Sequence, residues 1–333
     1  MPNLKDNLIE NPKENINNTI SLGELLYNNL LDKRDAEILA SFLLEKSREY
    51  VLSHLEITVN YSVLKKFKKL EKKRLENYPI AYLTGKQEFY GLDFIVNKNV
   101  LVPRPETEIM VDEIINIFKG AANSFESTNF SGTNFNSTKV SSASALDVLS
   151  DMPLDKPIII DIGTGSGAII ISLATELKRL LPSDFENFEF KAIDISKKAL
   201  KVAKNNSIIH KLNKTINFYR GNLLEPITKL LSDKNLIIAA NLPYLNPSQV
   251  KESPSISQEP KLALIAGNDG LKYYLELFEE LKNIKYKSLT LFCEIDQSQS
   301  EKIISVAEIF FPSASCEIIK DLSGLDRFLM IIN

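Results

Sequence analysis

The chain has 333 residues, which is enough for two domains or for one large α/β domain. Its apolar fraction of 44% and charged fraction of 25% are typical of a folded globular protein, so fibrous and wholly disordered classes are excluded. The net charge of −3 disfavours a protein that grips a nucleic-acid backbone, and no apolar run reaches the roughly 18 residues of a membrane span.

The N-terminal 18 residues are polar and lack the apolar core of a signal peptide, so a cytoplasmic protein is expected. We also expect a monomer with no direct nucleic-acid or membrane partner. The two histidines, His54 and His210, are far apart in sequence, which argues against a metal site. Cys293 and Cys316 lie in apolar segments and are interpreted as reduced core residues.

Residues 1–78 predict a small all-helical domain. Apolar residues recur at helical spacing in the segments 20–31, 35–46 and 61–78, and no convincing strand is predicted. Ser21 and Asp35 are the predicted helix caps. The third segment is rich in lysine between Lys65 and Arg74, which we interpret as a solvated helix face in preference to a binding patch.

Three segments of different amino-acid composition follow this domain. Residues 79–104 contain Tyr, Phe, Val and Gly in short alternations, which predicts a β-hairpin linker. A helix is predicted over 107–118, with Pro105 near its start. Residues 120–155 are rich in Ser, Thr and Asn, a composition that buries too little apolar surface to order itself, so a disordered insertion is predicted there.

The rest of the chain alternates strictly between strands and helices. Strands are predicted over 158–162, 189–195, 216–220, 236–240, 288–295 and 328–332, and helices over 167–180, 196–211, 271–284 and 299–310. This alternation predicts an α/β fold with a doubly wound, mostly parallel, Rossmann-like sheet. Ligands of such sheets bind outside the carboxyl ends of the strands.

The first of these strands runs into a glycine-rich turn, Gly163-Thr164-Gly165-Ser166-Gly167, where a ligand can approach the backbone closely. Gly163, Gly165 and Ala168 also satisfy the dinucleotide pattern G-x-G-x-x-A, so NAD is one candidate ligand.

Two polar positions end the next strands. Asp194 can accept hydrogen bonds from both hydroxyls of a ribose, or it can cap the helix that follows. Asn222, followed by Leu223, can bind the edge of an adenine ring or can simply form a turn.

Asn241-Leu242-Pro243-Tyr244 ends the fourth strand and is the most informative stretch of the chain. It resembles the N-P-P-Y signature of methyltransferases that act on planar nitrogens, and together with the glycine turn it disfavours NAD. Seven further segments also resemble motifs of one family: 79–85, 88–92, 103–108, 259–264, 267–271, 294–297 and 321–324. Jointly they resemble the PrmC/HemK family of release-factor glutamine methyltransferases, and the likeness covers most of the chain outside the insertion.

The resemblance implies a helical N-terminal domain for substrate recognition, a hairpin linker and a C-terminal class I methyltransferase domain from residue 105 onward. It implies S-adenosylmethionine as cofactor and, as substrate, the N5 amide nitrogen of the glutamine in the Gly-Gly-Gln motif of a release factor. The cofactor contacts that it implies are Gly163, Thr164, Gly165, Ser166, Gly167, Asp194, Asn222, Leu223 and Asn241. The catalytic and substrate-binding residues are Asn241, Leu242, Pro243 and Tyr244, with Arg104 and Glu106 at the pocket rim.

An amide nitrogen is a poor nucleophile, so positioning must carry much of the catalysis. The Asn241 side-chain oxygen and the Leu242 carbonyl are expected to accept the two N–H groups of the substrate amide, while Pro243 and Tyr244 wall the pocket.

Leu242 departs from the family pattern, which usually has proline at this position. The change is expected to be mild, because a residue before Pro243 is restricted to extended geometry in any case. Asn-Leu-Pro-Tyr also resembles the motif of ribosomal-RNA adenine methyltransferases, which supply one alternative function. A non-catalytic module that binds S-adenosylmethionine is the other.

Overall fold

The computed structural model describes residues 19–126, 156–254 and 256–333. The chain divides into two compact units: one contains the described residues up to Lys86 and those of 253–258, and the other contains those of 87–252 and 259–333. Most of the predicted insertion, residues 127–155, lies outside the described residues. Residues 120–126 continue the preceding helix, which ends at Glu126 where an end at residue 118 was predicted.

The N-terminal unit is built mainly of five helices: α1 (Leu22–Tyr27), α2 (Lys33–Leu44), α3 (Arg48–Ser53), α4 (Tyr61–Leu75) and α5 (Ile80–Thr84). Leu22, Leu39 and Phe67 are fully buried in their common core. Ser21 caps α1 as predicted, and its side chain accepts a hydrogen bond from the Glu24 backbone N–H.

Two details of this unit differ from the prediction. Asp32, and not Asp35, caps α2. The unit is also not wholly helical, because β1 (Ile20–Ser21) pairs with β2 (Thr58–Val59). A strand of two residues is too short to show the alternating pattern by which strands are recognised in a sequence.

The 79–104 segment contains a hairpin formed by β3 (Lys86–Phe89) and β4 (Leu92–Ile95), whereas the sequence predicted one between residues 88–94 and 100–103. It occupies less of the 79–104 segment than expected, since this segment begins with α5 and the residues 100–102 are not a strand. The helix α6 (Glu108–Glu126) follows.

A seven-stranded sheet forms the second unit, in the order β10-β11-β9-β8-β5-β6-β7. Its strands are β5 (Ile158–Ile162), β6 (Glu189–Asp194), β7 (Ile216–Arg220), β8 (Asn235–Ala240), β9 (Ser288–Glu294), β10 (Ser315–Lys320) and β11 (Asp326–Ile332). The first five of these pair in parallel, and β11 runs antiparallel to both β9 and β10. The Rossmann-like α/β prediction is therefore confirmed.

Five helices lie between these strands in the sequence: α7 (Ala168–Leu180), α8 (Lys197–Ile209), α9 (Pro247–Glu252), α10 (Lys272–Lys282) and α11 (Ser300–Phe310). The edge strand β10 was not predicted, because most of its residues are half-buried and no apolar run marks it. The central strands β5 and β8 are buried along their whole length, which explains why all their residues except Asp161 and Asn235 are apolar.

The direction of strand addition reverses at β5. The chain adds β6 and then β7 on one side of β5, and β8 and then β9 on the other. A crevice opens at such a reversal, outside the carboxyl ends of the two diverging strands. The glycine turn follows β5 and the Asn-Leu-Pro-Tyr segment follows β8, so both motifs reach this crevice. Among the described helices none is long and apolar enough to cross a membrane.

Candidate active site

A cavity of about 1150 Å³, including the space at its open mouth, occupies this crevice. Most of the predicted site residues line it: Arg104, Gly163, Thr164, Gly165, Ser166, Asp194, Asn222, Leu223, Asn241, Leu242 and Pro243. Three predicted residues, Glu106, Gly167 and Tyr244, are not part of the lining. Its mixture of apolar walls with a few polar groups is typical of a small-molecule site.

The glycines of the turn have different tasks. A Cβ added to Gly165 would meet nothing closer than the Gly163 carbonyl oxygen, at 3.8 Å, so this glycine leaves open space beside the cavity. A Cβ on Gly167 would lie 3.0 Å from the Ile171 side chain and 3.2 Å from Ala203. Gly167 therefore allows α7 to pack closely against α8. It does not line the cavity.

Asp194 ties the second strand to the glycine turn. Its carboxylate accepts hydrogen bonds from the Gly165 N–H at 2.9 Å and from the Ser196 N–H at 2.7 Å. Each carboxylate oxygen has a further lone pair, so the group can still accept from a ligand. Burial raises the pKa of Asp194, and the two N–H donors oppose this shift. Asp194 is not the cap of the following helix, because Ser196 caps it and accepts a hydrogen bond from the Ala199 N–H. The Asp194 side chain instead supports the backbone on both sides and lines the cavity, and ribose binding by it stays a prediction.

Asp161 is a second acidic group beneath the same turn. It is buried within β5, and its Oδ2 accepts a hydrogen bond from the Thr164 hydroxyl at 2.6 Å. Its other oxygen, Oδ1, has no hydrogen-bond partner among the described residues. Burial raises the pKa of Asp161 to about 7, an effect that the nearby charge of Asp194 increases.

Asn241 is held by two residues that lie far away in the sequence. Its side-chain Nδ2 donates to the Glu294 carboxylate at 2.8 Å and to the Thr107 hydroxyl at 3.2 Å. The remaining polar atom of the side chain, Oδ1, accepts no hydrogen bond from the described residues. This oxygen is therefore the atom that Asn241 can offer to a ligand in the cavity.

Tyr244 differs from the expectation that it walls the pocket. Its hydroxyl donates to Glu294 Oε1 at 3.0 Å, which draws the side chain away from the cavity. Burial and the Glu294 charge raise the Tyr244 pKa well above its ordinary value. The Tyr244 carbonyl accepts a hydrogen bond from Gln299 Nε2 at 2.8 Å, so both the side chain and the backbone of this loop are fixed.

Leu242 is also more than a spacer. Its side chain is 4% exposed and belongs to the core of the sheet. A Cβ on Gly163 would lie 3.2 Å from Leu242 Cδ2, so the leucine packs directly beneath the glycine turn. The leucine therefore supports the site through packing, which the expectation of a mild substitution did not include.

Of the two residues predicted at the pocket rim, one lies at the cavity. Arg104 lines the cavity and forms an ion pair with the buried Glu259, which also accepts a hydrogen bond from the Val102 N–H at 2.9 Å. Glu259 thus holds the segment around Arg104 against the segment that begins at Pro260. Glu106 is exposed and does not line the cavity; its neighbour Thr107 does.

Comparison with known proteins identifies the family. Residues 28–85 match the PrmC N-terminal domain, and residues 155–262 match a methyltransferase domain. A release factor glutamine methyltransferase of Bacillus subtilis is 31% identical over 298 residues, which cover 89% of this chain and 90% of that protein. The chain belongs to the release factor glutamine methyltransferase family.

Two other relatives differ in length. A release factor glutamine methyltransferase of Bacillus cereus is 31% identical over 306 residues, which cover 91% of this chain and 94% of that protein. A bifunctional methyltransferase of Rickettsia typhi is 34% identical over 83% of this chain, and the match spans 49% of that longer protein. The family is thus found both as a protein of this length and as part of a larger chain.

As a methyltransferase of this family, the protein uses S-adenosylmethionine. The cavity fits this cofactor. The Asp194 carboxylate retains acceptor capacity for ribose hydroxyls, and the open space at Gly165 lets a ligand approach the backbone. Ile195, which is 49% exposed and lines the cavity, offers an apolar face for a flat ring.

Sequence reasoning missed three site residues: Thr107, Glu259 and Glu294. A signal existed for Glu294, since a carboxylate at the end of a buried parallel strand lies at the ligand-binding edge of the sheet. Thr107 and Glu259 had no such local signal, because their partners are separated from them by 187 and 155 residues.

Proposed function

We propose that this protein methylates the side-chain amide nitrogen, N5, of the glutamine in the Gly-Gly-Gln motif of peptide chain release factors. The proposal is supported by relatives that are named for this reaction and match most of the chain. The structural observation that carries it is the arrangement of Asn241, whose Nδ2 is engaged by Glu294 and Thr107 and whose Oδ1 is left for a ligand.

The Asn241 side chain suits a planar nitrogen that bears two N–H groups. Asn241 Oδ1 accepts one of these groups and the Leu242 carbonyl accepts the other, which aims the remaining face of the nitrogen at the cofactor. S-adenosylmethionine supplies an electrophilic methyl group on a positively charged sulfur. As the N–C bond forms, the C–S bond breaks and its electron pair stays on the sulfur, which leaves as a neutral thioether. Positive charge develops on the nitrogen during this step and is removed when one N–H proton is released to solvent. Both oxygens stabilise the developing charge because they are already oriented.

Rigidity of this loop is as important as its composition. Glu294 and Gln299 fix the side chain and the carbonyl of Tyr244, and the Leu242 side chain is packed in the core. The acceptor oxygens therefore need little reorganisation when the substrate binds. Low reorganisation of this kind is the source of rate acceleration in an enzyme that acts by positioning its substrate. Pro243 lines the cavity and helps to exclude water from the nitrogen.

We further propose that the N-terminal helical unit recognises the release factor and that the protein works as a cytoplasmic monomer without a nucleic-acid partner. The match to the PrmC N-terminal domain supports the first point. The net charge of −3 supports the absence of nucleic-acid binding. Ribosomal-RNA adenine methylation is the less supported alternative, because the two full-length relatives described above are named for a protein glutamine.

The experiment that tests this function is single-turnover transfer of a labelled methyl group from S-adenosylmethionine. The acceptors are a release factor with an intact Gly-Gly-Gln loop, the same factor with Gln→Ala, and ribosomal RNA. We expect label in the intact factor alone. Equal labelling of the Gln→Ala factor, or preferential labelling of the RNA, would overturn the proposed acceptor.

The same assay tests the role of Asn241. Asn241→Ala should lower the single-turnover rate by about a hundred- to a thousandfold, which is the usual effect of losing one preorganised polar contact in a transition state. The affinity for S-adenosylmethionine should change much less. A variant that turns over at the wild-type rate would contradict the mechanism while leaving the identity of the acceptor intact.

A further inference from the structure

Glu294 is a carboxylate that the reaction itself does not use. It ends β9, its side chain is 2% exposed, and it lies behind Asn241 and outside the cavity lining. It accepts three hydrogen bonds, from the Thr107 hydroxyl at 2.6 Å, from Asn241 Nδ2 at 2.8 Å and from the Tyr244 hydroxyl at 3.0 Å. Removing a buried carboxylate with this many donors would leave several buried polar atoms without a hydrogen-bond partner, which is energetically costly.

The directions of these hydrogen bonds follow from the chemistry of the groups. Thr107 has one hydroxyl proton, and the 2.6 Å contact to Glu294 takes it. The Thr107 oxygen can therefore only accept in its 3.2 Å contact with Asn241, so the second proton of Asn241 Nδ2 is directed to it. Both protons of the amide are thus accounted for, one on Glu294 and one on Thr107.

This network fixes which end of the Asn241 amide faces Glu294 and Thr107. If the amide were turned over, its oxygen would face the Glu294 carboxylate, which has no proton to donate, and the Thr107 oxygen, whose one proton is already donated to Glu294. The turned amide would also direct N–H donors into the cavity, where they cannot accept the N–H of a substrate amide. Glu294 and Thr107 thus select the orientation that the reaction requires.

Burial raises the pKa of Glu294, whereas the hydroxyl donors Thr107 and Tyr244 oppose this shift and favour the ionised carboxylate. A hydrogen bond to an ionised acceptor is stronger than one between neutral groups, and hydrogen bonds in a chain polarise one another. The carboxylate draws the Asn241 N–H dipole toward itself and makes Oδ1 more negative. A more negative Oδ1 stabilises the positive charge that develops on the substrate nitrogen.

We propose that Glu294, together with Thr107, is a positioning residue that fixes the Asn241 amide with its oxygen toward the methyl acceptor. This inference rests on the proposed function, since it assumes that the acceptor nitrogen binds Asn241 Oδ1. Under this proposal, Glu294 affects the rate of methyl transfer only through the orientation of Asn241, and this dependence can be measured in variants of both residues.

The first test uses Glu294→Gln in the full chain, with single-turnover methylation of the release factor. Glutamine keeps the shape of the side chain but can offer an N–H to Asn241 Oδ1, which favours the turned amide. The maximal rate should fall by roughly ten- to a hundredfold, part of the loss expected for Asn241 itself. The KM for the release factor and the Kd for S-adenosylmethionine should stay within about twofold, since binding groups elsewhere in the site are unchanged.

Thr107 supplies a matched set of variants that does not depend on Glu294→Gln folding. Thr107→Val removes the hydroxyl and should lower the maximal rate, whereas Thr107→Ser keeps the hydroxyl and should restore most of it. Thr290→Val is the control, because Thr290 is fully buried on the same strand as Glu294 and its hydroxyl has no hydrogen-bond partner among the described residues. It should turn over like the wild type.

A double variant decides whether the effect passes through Asn241. Asn241→Ala combined with Glu294→Gln should be no slower than Asn241→Ala alone, because two residues that act as one unit are not additive. Three results would each overturn the positioning role. The rate losses of Asn241→Ala and Glu294→Gln could multiply in the double variant, Thr107→Ser could lose as much rate as Thr107→Val, or Glu294→Gln could change only the KM. If the wild type does not methylate the release factor at all, the proposed function fails first, and that outcome is separate from these.

Discussion

Gly270 tests how closely the site loop is bound to the rest of the second unit. Its φ is +74°, and a Cβ at this position would overlap the Tyr244 carbonyl oxygen and Gln299 Nε2. Gln299 Nε2 donates to the carbonyls of Tyr244 and Asp269 at 2.8 and 3.1 Å. Gly270→Ala must therefore displace the loop that follows Asn241 or break these hydrogen bonds.

The size of the effect can be worked out with a matched control. Gly324 has a similar φ of +80°, and a Cβ there would meet nothing within 4 Å. Gly324→Ala should thus show the left-handed strain alone, about 1–2 kcal/mol, less up to about 1 kcal/mol from the stiffer unfolded chain. Gly270→Ala adds two lost hydrogen bonds of about 0.5–1.5 kcal/mol each, so a total near 3 kcal/mol is expected.

Two assays on each variant check this reasoning. Urea unfolding gives the free energy of unfolding, and single-turnover methylation reports on the loop. Gly270→Ala should also lose turnover, by up to about a hundredfold if the loop moves by about 1 Å, whereas Gly324→Ala should not. Equal destabilisation by the two alanines, with full turnover in Gly270→Ala, would show that the close approach is unimportant.

Two further predictions concern Asp194 and Asp161, the two acidic residues next to the glycine turn. Asp194→Ala should weaken S-adenosylmethionine binding by about 2 kcal/mol, or roughly thirtyfold in the Kd measured by calorimetry, and an unchanged Kd would exclude ribose binding by this residue. Burial raises the pKa of Asp161 to about 7, above its ordinary value of 3.8. Between these two pH values the folded protein holds a proton on Asp161 that the unfolded chain has released. The free energy of unfolding therefore falls as the pH rises from about 4 to about 7. Asp161→Asn cannot titrate, and its free energy of unfolding relative to the wild type should rise by about 2.6 kcal/mol between pH 5 and pH 8. A constant difference would mean that Asp161 titrates normally.

The sequence by itself determined the class of the fold and the position of the cofactor loop. Apolar runs such as 158–160 and 236–240 are continuous because strands in a parallel sheet are covered on both faces, and this signal is local. The glycine turn and Asn241 are equally local, since each directly follows such a strand. The strand alternation then implied a common edge for both motifs, and the structure has them there.

Only the tertiary structure decided which atoms of these motifs are available. Tyr244 turns away from the cavity because Glu294 accepts its hydroxyl proton, and Gly167 serves helix packing because Ala203 lies against it. Thr107 and Glu294 hold Asn241 although they are separated from each other by 187 residues. Hydrogen-bond partners at that separation depend on how strands and helices pack, and no local pattern of residues encodes them.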